Sequence, residues 1–131
     1  MRLRLVDSID FQRLRKLQMT SVFDLDGALE RVEGDRELLD ELARIYLEEV
    51  STLLVAISDA MKKDDILAAA NAAHTMKGAS SNFCARAMYD AAWGFEQMRS
   101  SNTADEIAVA YQKLLQESEL LNQAIRQEFA I

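Results

Sequence analysis

Residues 35–61 read DRELLDELARIYLEEVSTLLVAISDAM, with apolar side chains recurring every three or four places. Leu38, Leu39, Leu42, Ile45, Tyr46, Val50, Leu53, Leu54, Ile57 and Met61 keep that spacing for about seven turns at 3.6 residues per turn. Such a period predicts a long helix with one buried side. Asp35 can cap its start by accepting from first-turn N–H groups, and Lys62 and Lys63 suit its negative end.

The pattern continues in both directions. Upstream, a short helix is expected from about Asp24 to Val32 through Leu25, Ala28, Leu29 and Val32, ended by Gly34, which can take a positive φ. Before it, Asp7 or Ser8 can cap another short helix reaching about residue 19, with Phe11, Leu14 and Leu17 inward. Downstream, Asp64 and Asp65 open a helix to about Phe83. Residues 85–101 predict the next, with Met88, Ala91, Ala92, Phe95 and Met98 inward. Thr103 and Glu106 then form a capping box ahead of a last helix carrying Ile107, Ala110, Leu114, Leu121, Ile125 and Phe129. Trp93, Phe83 and Met76 read as core residues. Short connections favour antiparallel neighbours. The expected fold is therefore all-α, an antiparallel up-down-up-down four-helix bundle over residues 35–131, with one or two short helices within residues 1–34.

Composition agrees with one such domain: 131 residues, no proline, four glycines and half the side chains hydrophobic. One cysteine and one histidine exclude an internal disulfide and an N/S metal site within the chain. The net charge of −7 is uneven. Arg2, Arg4, Arg13, Arg15 and Lys16 give residues 1–20 a basic excess, and the acidic remainder argues against nucleic acid as a partner. No apolar run approaches the roughly 18 residues of a membrane span, and Asp7 and Asp10 interrupt any signal-like start. A soluble, cytoplasmic monomer is expected.

The helix predicted over residues 64–83, DDILAAANAAHTMKGASSNF, carries the single histidine, His74. On a helical wheel the side opposite His74 holds Ala69, Ala72, Met76, Ala79 and Phe83, so the imidazole faces solvent. Ala70, Asn71, Lys77, Gly78 and Ser81 surround it, with Ser80 nearby. A nucleophilic imidazole, an ammonium one turn on and hydroxyls beyond suit an anionic group held on nitrogen. Gly78 costs a helix roughly 1 kcal/mol against alanine, which points to something approaching the backbone beside the ring. Paired carboxylates, a glycine-rich phosphate loop and a nucleophile with its own base are all missing near His74, which disfavours a self-sufficient enzyme.

The segment Ala72-Ala73-His74-Thr75-Met76-Lys77-Gly78-Ala79-Ser80-Ser81-Asn82, with the upstream Ala28-Leu29-Glu30-Arg31-Val32 and Gly34-Asp35-Arg36-Glu37-Leu38-Leu39, resembles the histidine-containing phosphotransfer (HPt) domains of two-component phosphorelays. The resemblance implies an antiparallel four-helix bundle that carries a phosphoryl group on His74. It implies that Lys77 helps hold that group, that Gly78 admits the partner, and that Glu96 bonds the imidazole. The implied partners are response-regulator receiver domains, with a hybrid histidine kinase as another. Mg²⁺ would come from the receiver, leaving this chain with no cofactor of its own. A helical adaptor without phosphotransfer, and a phosphotransfer domain of a larger hybrid or chemotaxis-type kinase, are the alternatives. One departure stands out: Cys84 occupies a position where the family usually has glycine.

Overall fold

The computed structural model describes residues 22–131 of the chain. The helix expected between residues 7 and 19, and the basic group Arg2, Arg4, Arg13, Arg15 and Lys16, lie outside the described residues. Five helices lie wholly within the described residues: α1 (Leu25–Arg31), α2 (Arg36–Lys62), α3 (Ile66–Ser81), α4 (Arg86–Glu96) and α5 (Ala104–Phe129). Their starts follow from the side-chain caps. Asp24 accepts from Gly27 N at 3.2 Å, Asp35 from Leu38 N at 3.0 Å and Asp65 from Ala68 N at 3.1 Å. Thr103 and Glu106 exchange bonds of 3.1 and 3.0 Å as a capping box. Each cap of this kind contributes roughly 1 kcal/mol.

The helix ends share another device. After α2, α3 and α5 the chain turns through one left-handed residue, at Asp64, Cys84 and Ala130, with φ between 52° and 54°, and after α1 through two, beginning at Glu33 with φ 55°. After α3, Cys84 N donates to Ser81 O and Ala85 N to Ser80 O, the paired bonds of a Schellman ending. Gly34 does take a positive φ, 79°, but one residue after Glu33 has begun the turn. Cys84 thus holds a conformation natural to glycine, at a steric cost that glycine avoids. Replacing Cys84 with glycine should raise stability by about 0.5–1 kcal/mol in urea unfolding. A lower midpoint would mean that thiol packing outweighs the strain.

The core is one cluster in which Leu39, Ala43, Tyr46, Val50 and Ile57 of α2 meet Ala69, Ala73 and Met76 of α3. Met88, Ala92 and Phe95 of α4 and Leu114, Leu121, Ile125 and Phe129 of α5 complete it. Phe23 and Tyr46 meet the Phe83 ring edge-on, at centroid distances of 6.3 and 5.4 Å, closing one end. Packing runs α2 on α3, α3 on α4, α4 on α5, and α5 back on α2. At one end Arg36, opening α2, donates to the carbonyl of Glu128 near the end of α5 at 3.1 Å. At the other, Met61 lines a cavity with Ala104 and Ile107 at the start of α5. α2 and α5 therefore run in opposite directions within an all-helical bundle.

Four sequence expectations are corrected. Leu38 and Ile45 are 40% and 54% exposed, because the buried line of α2 runs through Leu39, Ala43, Tyr46, Val50, Ile57 and Ala60, with alanines where the wheel favoured larger residues. α4 ends at Glu96 rather than near residue 101. There the Arg99 guanidinium donates to the Glu96 and Met98 carbonyls, both at 2.7 Å, and Asn102 accepts from Arg99 N at 2.8 Å, so the final carbonyls are satisfied outside the helix. Trp93 is 52% exposed, not core. Ala70, expected beside the histidine, is buried.

Candidate functional site

The buried arc of α3 consists of Ala69, Ala70, Ala73, Met76 and Ser80. At 100° per residue it lies roughly 70° nearer to α4 than the wheel placed it. Alanine supplies the reason: a helix so rich in one small apolar residue has several arcs equally fit for burial, and contact with α4 selects one. The same rotation draws Ala70 and Ser80 into the core. It leaves His74 and Lys77 on the margin where α3 meets α4.

On that margin three side chains form a chain of contacts. His74 Nδ1 lies 2.6 Å from Glu96 Oε1, and Lys77 Nζ lies 2.9 Å from Glu96 Oε2. The His74 side chain is 65% exposed, whereas Lys77 and Glu96 are 17% and 20% exposed. Lys77 is thus not a freely solvated lysine but the half-buried partner of a carboxylate, its ammonium 5.8 Å from the centre of the Tyr89 ring. Glu96 accepting from Nδ1–H leaves the lone pair on Nε2, so the open nitrogen is the nucleophilic one.

The electrostatics follow from the pairing. The hydrogen bond from Lys77 holds the Glu96 carboxyl below its ordinary value of 4.5, with partial burial opposing and the His74 bond reinforcing. The same pair raises Lys77 above 10.5. A depressed carboxyl contributes stability that is present above its unfolded value and lost as pH falls through the folded one. A raised lysine contributes stability that is lost only as pH rises through its folded value. The pair should therefore persist from below pH 4.5 to above pH 10.5. Lys77→Ala should return the Glu96 midpoint toward 4.5 in a carboxyl ¹³C NMR titration. An unchanged midpoint would mean that the pair is not formed in solution.

The other predicted site residues divide. Asn71 and Gly78 are exposed on the stripe that carries His74. A Cβ built at Gly78 meets no atom within 4 Å, so nothing inside the fold requires glycine there. Ser81 is half-buried two turns from His74, and its hydroxyl donates to Gly78 O at 2.6 Å. Ser80 is fully buried and donates to Lys77 O at 2.9 Å, so its hydroxyl does not reach the histidine stripe. Ala70 does not belong to the site. Tyr89 and Trp93 border it and were missed, although Tyr89, Trp93 and Glu96 fall at i, i+4 and i+7 on α4, a spacing that places them on one stripe.

The family model of the Hpt domain matches residues 41–128, spanning all of α3 and α4 and most of α2 and α5. The chain belongs to the Hpt domain family. No curated protein and no solved structure matches it. Membership makes this chain a phosphocarrier module of two-component signalling, of the kind that works with receiver and kinase domains. Among the described residues of this Hpt domain, no helix is long and apolar enough to cross a membrane. No group of three or more His, Cys, Asp or Glu side chains among them is placed to hold a metal ion.

Proposed function

We propose that this Hpt domain carries phosphoryl groups on His74, taking them from the aspartyl phosphate of one cytoplasmic receiver domain and passing them to the aspartate of another. One observation carries the reading: Glu96 engages Nδ1 at 2.6 Å on a ring whose side chain is 65% exposed, leaving Nε2 open to a partner. A carboxylate in that position fixes both tautomer and ring orientation.

In transfer, the Nε2 lone pair attacks phosphorus, the N–P bond forms, and the P–O bond to the donor aspartate breaks with its electron pair leaving on the carboxylate. The ring becomes a phosphoimidazolium. Its positive charge appears beside an anion already in place, so Glu96 stabilises the product without rearranging. Lys77 keeps Glu96 ionised and located. Its ammonium, one turn from His74, also offsets the charge of the incoming phosphoryl group. The receiver supplies Mg²⁺ and alignment, which together carry most of the catalysis. Gly78 leaves room for the receiver backbone beside the ring, and Asn71 and Ser81 edge the same contact.

The test is incubation with a receiver charged with ³²P-phosphate. Acid-labile, base-stable label on this chain is expected. Failure to label, or an acid-stable label, would overturn the assignment.

A further inference from the structure

Glu96 holds the His74 ring from the last residue of α4, and the last turn is where a helix frays first. α4 has little else to hold it. It spans 11 residues, and its N-cap, Ala85, makes no side-chain cap bond, so its ends decide its order more than its intrinsic propensity does. The other four helices within the described residues end through left-handed residues, but α4 passes into Gln97 at φ −77° without one. One side chain takes over that role. Arg99 Nη1 donates to the carbonyls of both Glu96 and Met98 at 2.7 Å, which places a cation at the negative end of the helix. Arg99 is fixed in turn. Its N–H donates to Asn102 Oδ1 at 2.8 Å, Asn102 Nδ2 donates to Glu106 Oε2 at 3.4 Å, and Glu106 is half of the capping box that opens α5. A run of hydrogen bonds thus ties the start of α5 to the backbone of Glu96.

We propose that Arg99 is a positioning residue for phosphotransfer: by pinning the last turn of α4 it keeps the Glu96 carboxylate on His74 Nδ1 and so keeps the lone pair on Nε2. The inference rests on His74 being the phosphoacceptor. A neutral imidazole with no partner in water favours the Nε2–H form, which has no lone pair at Nε2 and cannot attack phosphorus, so each excursion of Glu96 away from the ring removes the reactive tautomer. Arg99 limits those excursions. A charge-assisted hydrogen bond contributes a factor of about 10 to the equilibrium it governs, and here one guanidinium nitrogen serves the carbonyl of Glu96 itself.

Long-range ¹H–¹⁵N spectra of the His74 ring read the tautomer ratio with no phosphoryl donor present. In Arg99→Ala the ratio of Nε2–H to Nδ1–H should rise about 10-fold over wild type. For transfer from a phosphorylated receiver, kcat should fall in proportion to the Nδ1–H form that remains, with KM within about two-fold. Labelling by phosphoramidate, which needs no docking surface, should fall by the same factor. Arg99→Lys should restore most of the loss, because a single nitrogen, Nη1, makes both bonds. Arg86→Ala removes the same charge from the other end of α4 and should leave the ratio unchanged. Arg99→Met keeps the aliphatic stem and carries the same expectations if the alanine variant does not fold. A wild-type ratio in Arg99→Ala or Arg99→Met overturns the clamp, even where wild-type protein takes up label. An equal shift in Arg86→Ala overturns it as well, since loss of charge alone would then account for the change. A raised receiver KM with unchanged phosphoramidate labelling makes Arg99 a receiver contact and overturns it too. Lack of label from both donors on wild-type protein overturns the phosphoacceptor reading, and with it the role in transfer.

Discussion

His74→Gln should take up no label from a phosphorylated receiver or from phosphoramidate, while its helical content and urea midpoint stay within about 0.5 kcal/mol of wild type. The effect on function is total because the amide has no ring nitrogen with a free lone pair. The effect on stability is small because the side chain is mostly in water and glutamine can still donate to Glu96. Label retained on the variant would place the phosphoryl group elsewhere on the chain. Loss of fold would mean that the bond to Glu96 contributes more than an exposed contact should.

Gly78→Gln should separate stability from function even more sharply. A Cβ at this position meets nothing within 4 Å, so alanine or glutamine should improve the helix, by up to about 1 kcal/mol for alanine. Both side chains would stand in the path of a receiver approaching Nε2. Transfer from the receiver should fall by about 10-fold or more for glutamine and less for alanine, while labelling by phosphoramidate continues. The measurement is a receiver-transfer time course beside urea unfolding of the same preparations. A stable Gly78→Gln domain exchanging at the wild-type rate would refute the docking geometry.

The long helix, its cap at Asp35 and the capping box at Thr103 were legible because each depends on residues within a few places of one another. α3 was only half legible. Its existence and the exposure of His74 followed from spacing, but its alanines do not reveal which arc is buried. That choice belongs to α4, and with it went the placement of Ala70 and Ser80. Lys77 appeared as an exposed cation for the same reason: its partner Glu96 is on another helix, and only the resemblance brought Glu96 to the histidine. Trp93 read as core because large apolar residues usually are, yet its place on the outer side of α4 leaves it 52% exposed. Cys84 shows the converse: its departure from the family's usual glycine left the local turn open in the sequence, and the structure makes that turn with a cysteine at φ 52°.

If Glu96 holds Nδ1, then Nε2 is the nitrogen that carries phosphorus. Long-range ¹H–¹⁵N correlation spectra of the histidine ring, recorded before and after phosphorylation, test it in a single sample. The Nδ1–H tautomer is expected in the resting domain, with ³¹P coupling to Nε2 after transfer. An Nε2–H tautomer at rest, or phosphorus bonded to Nδ1, would contradict it.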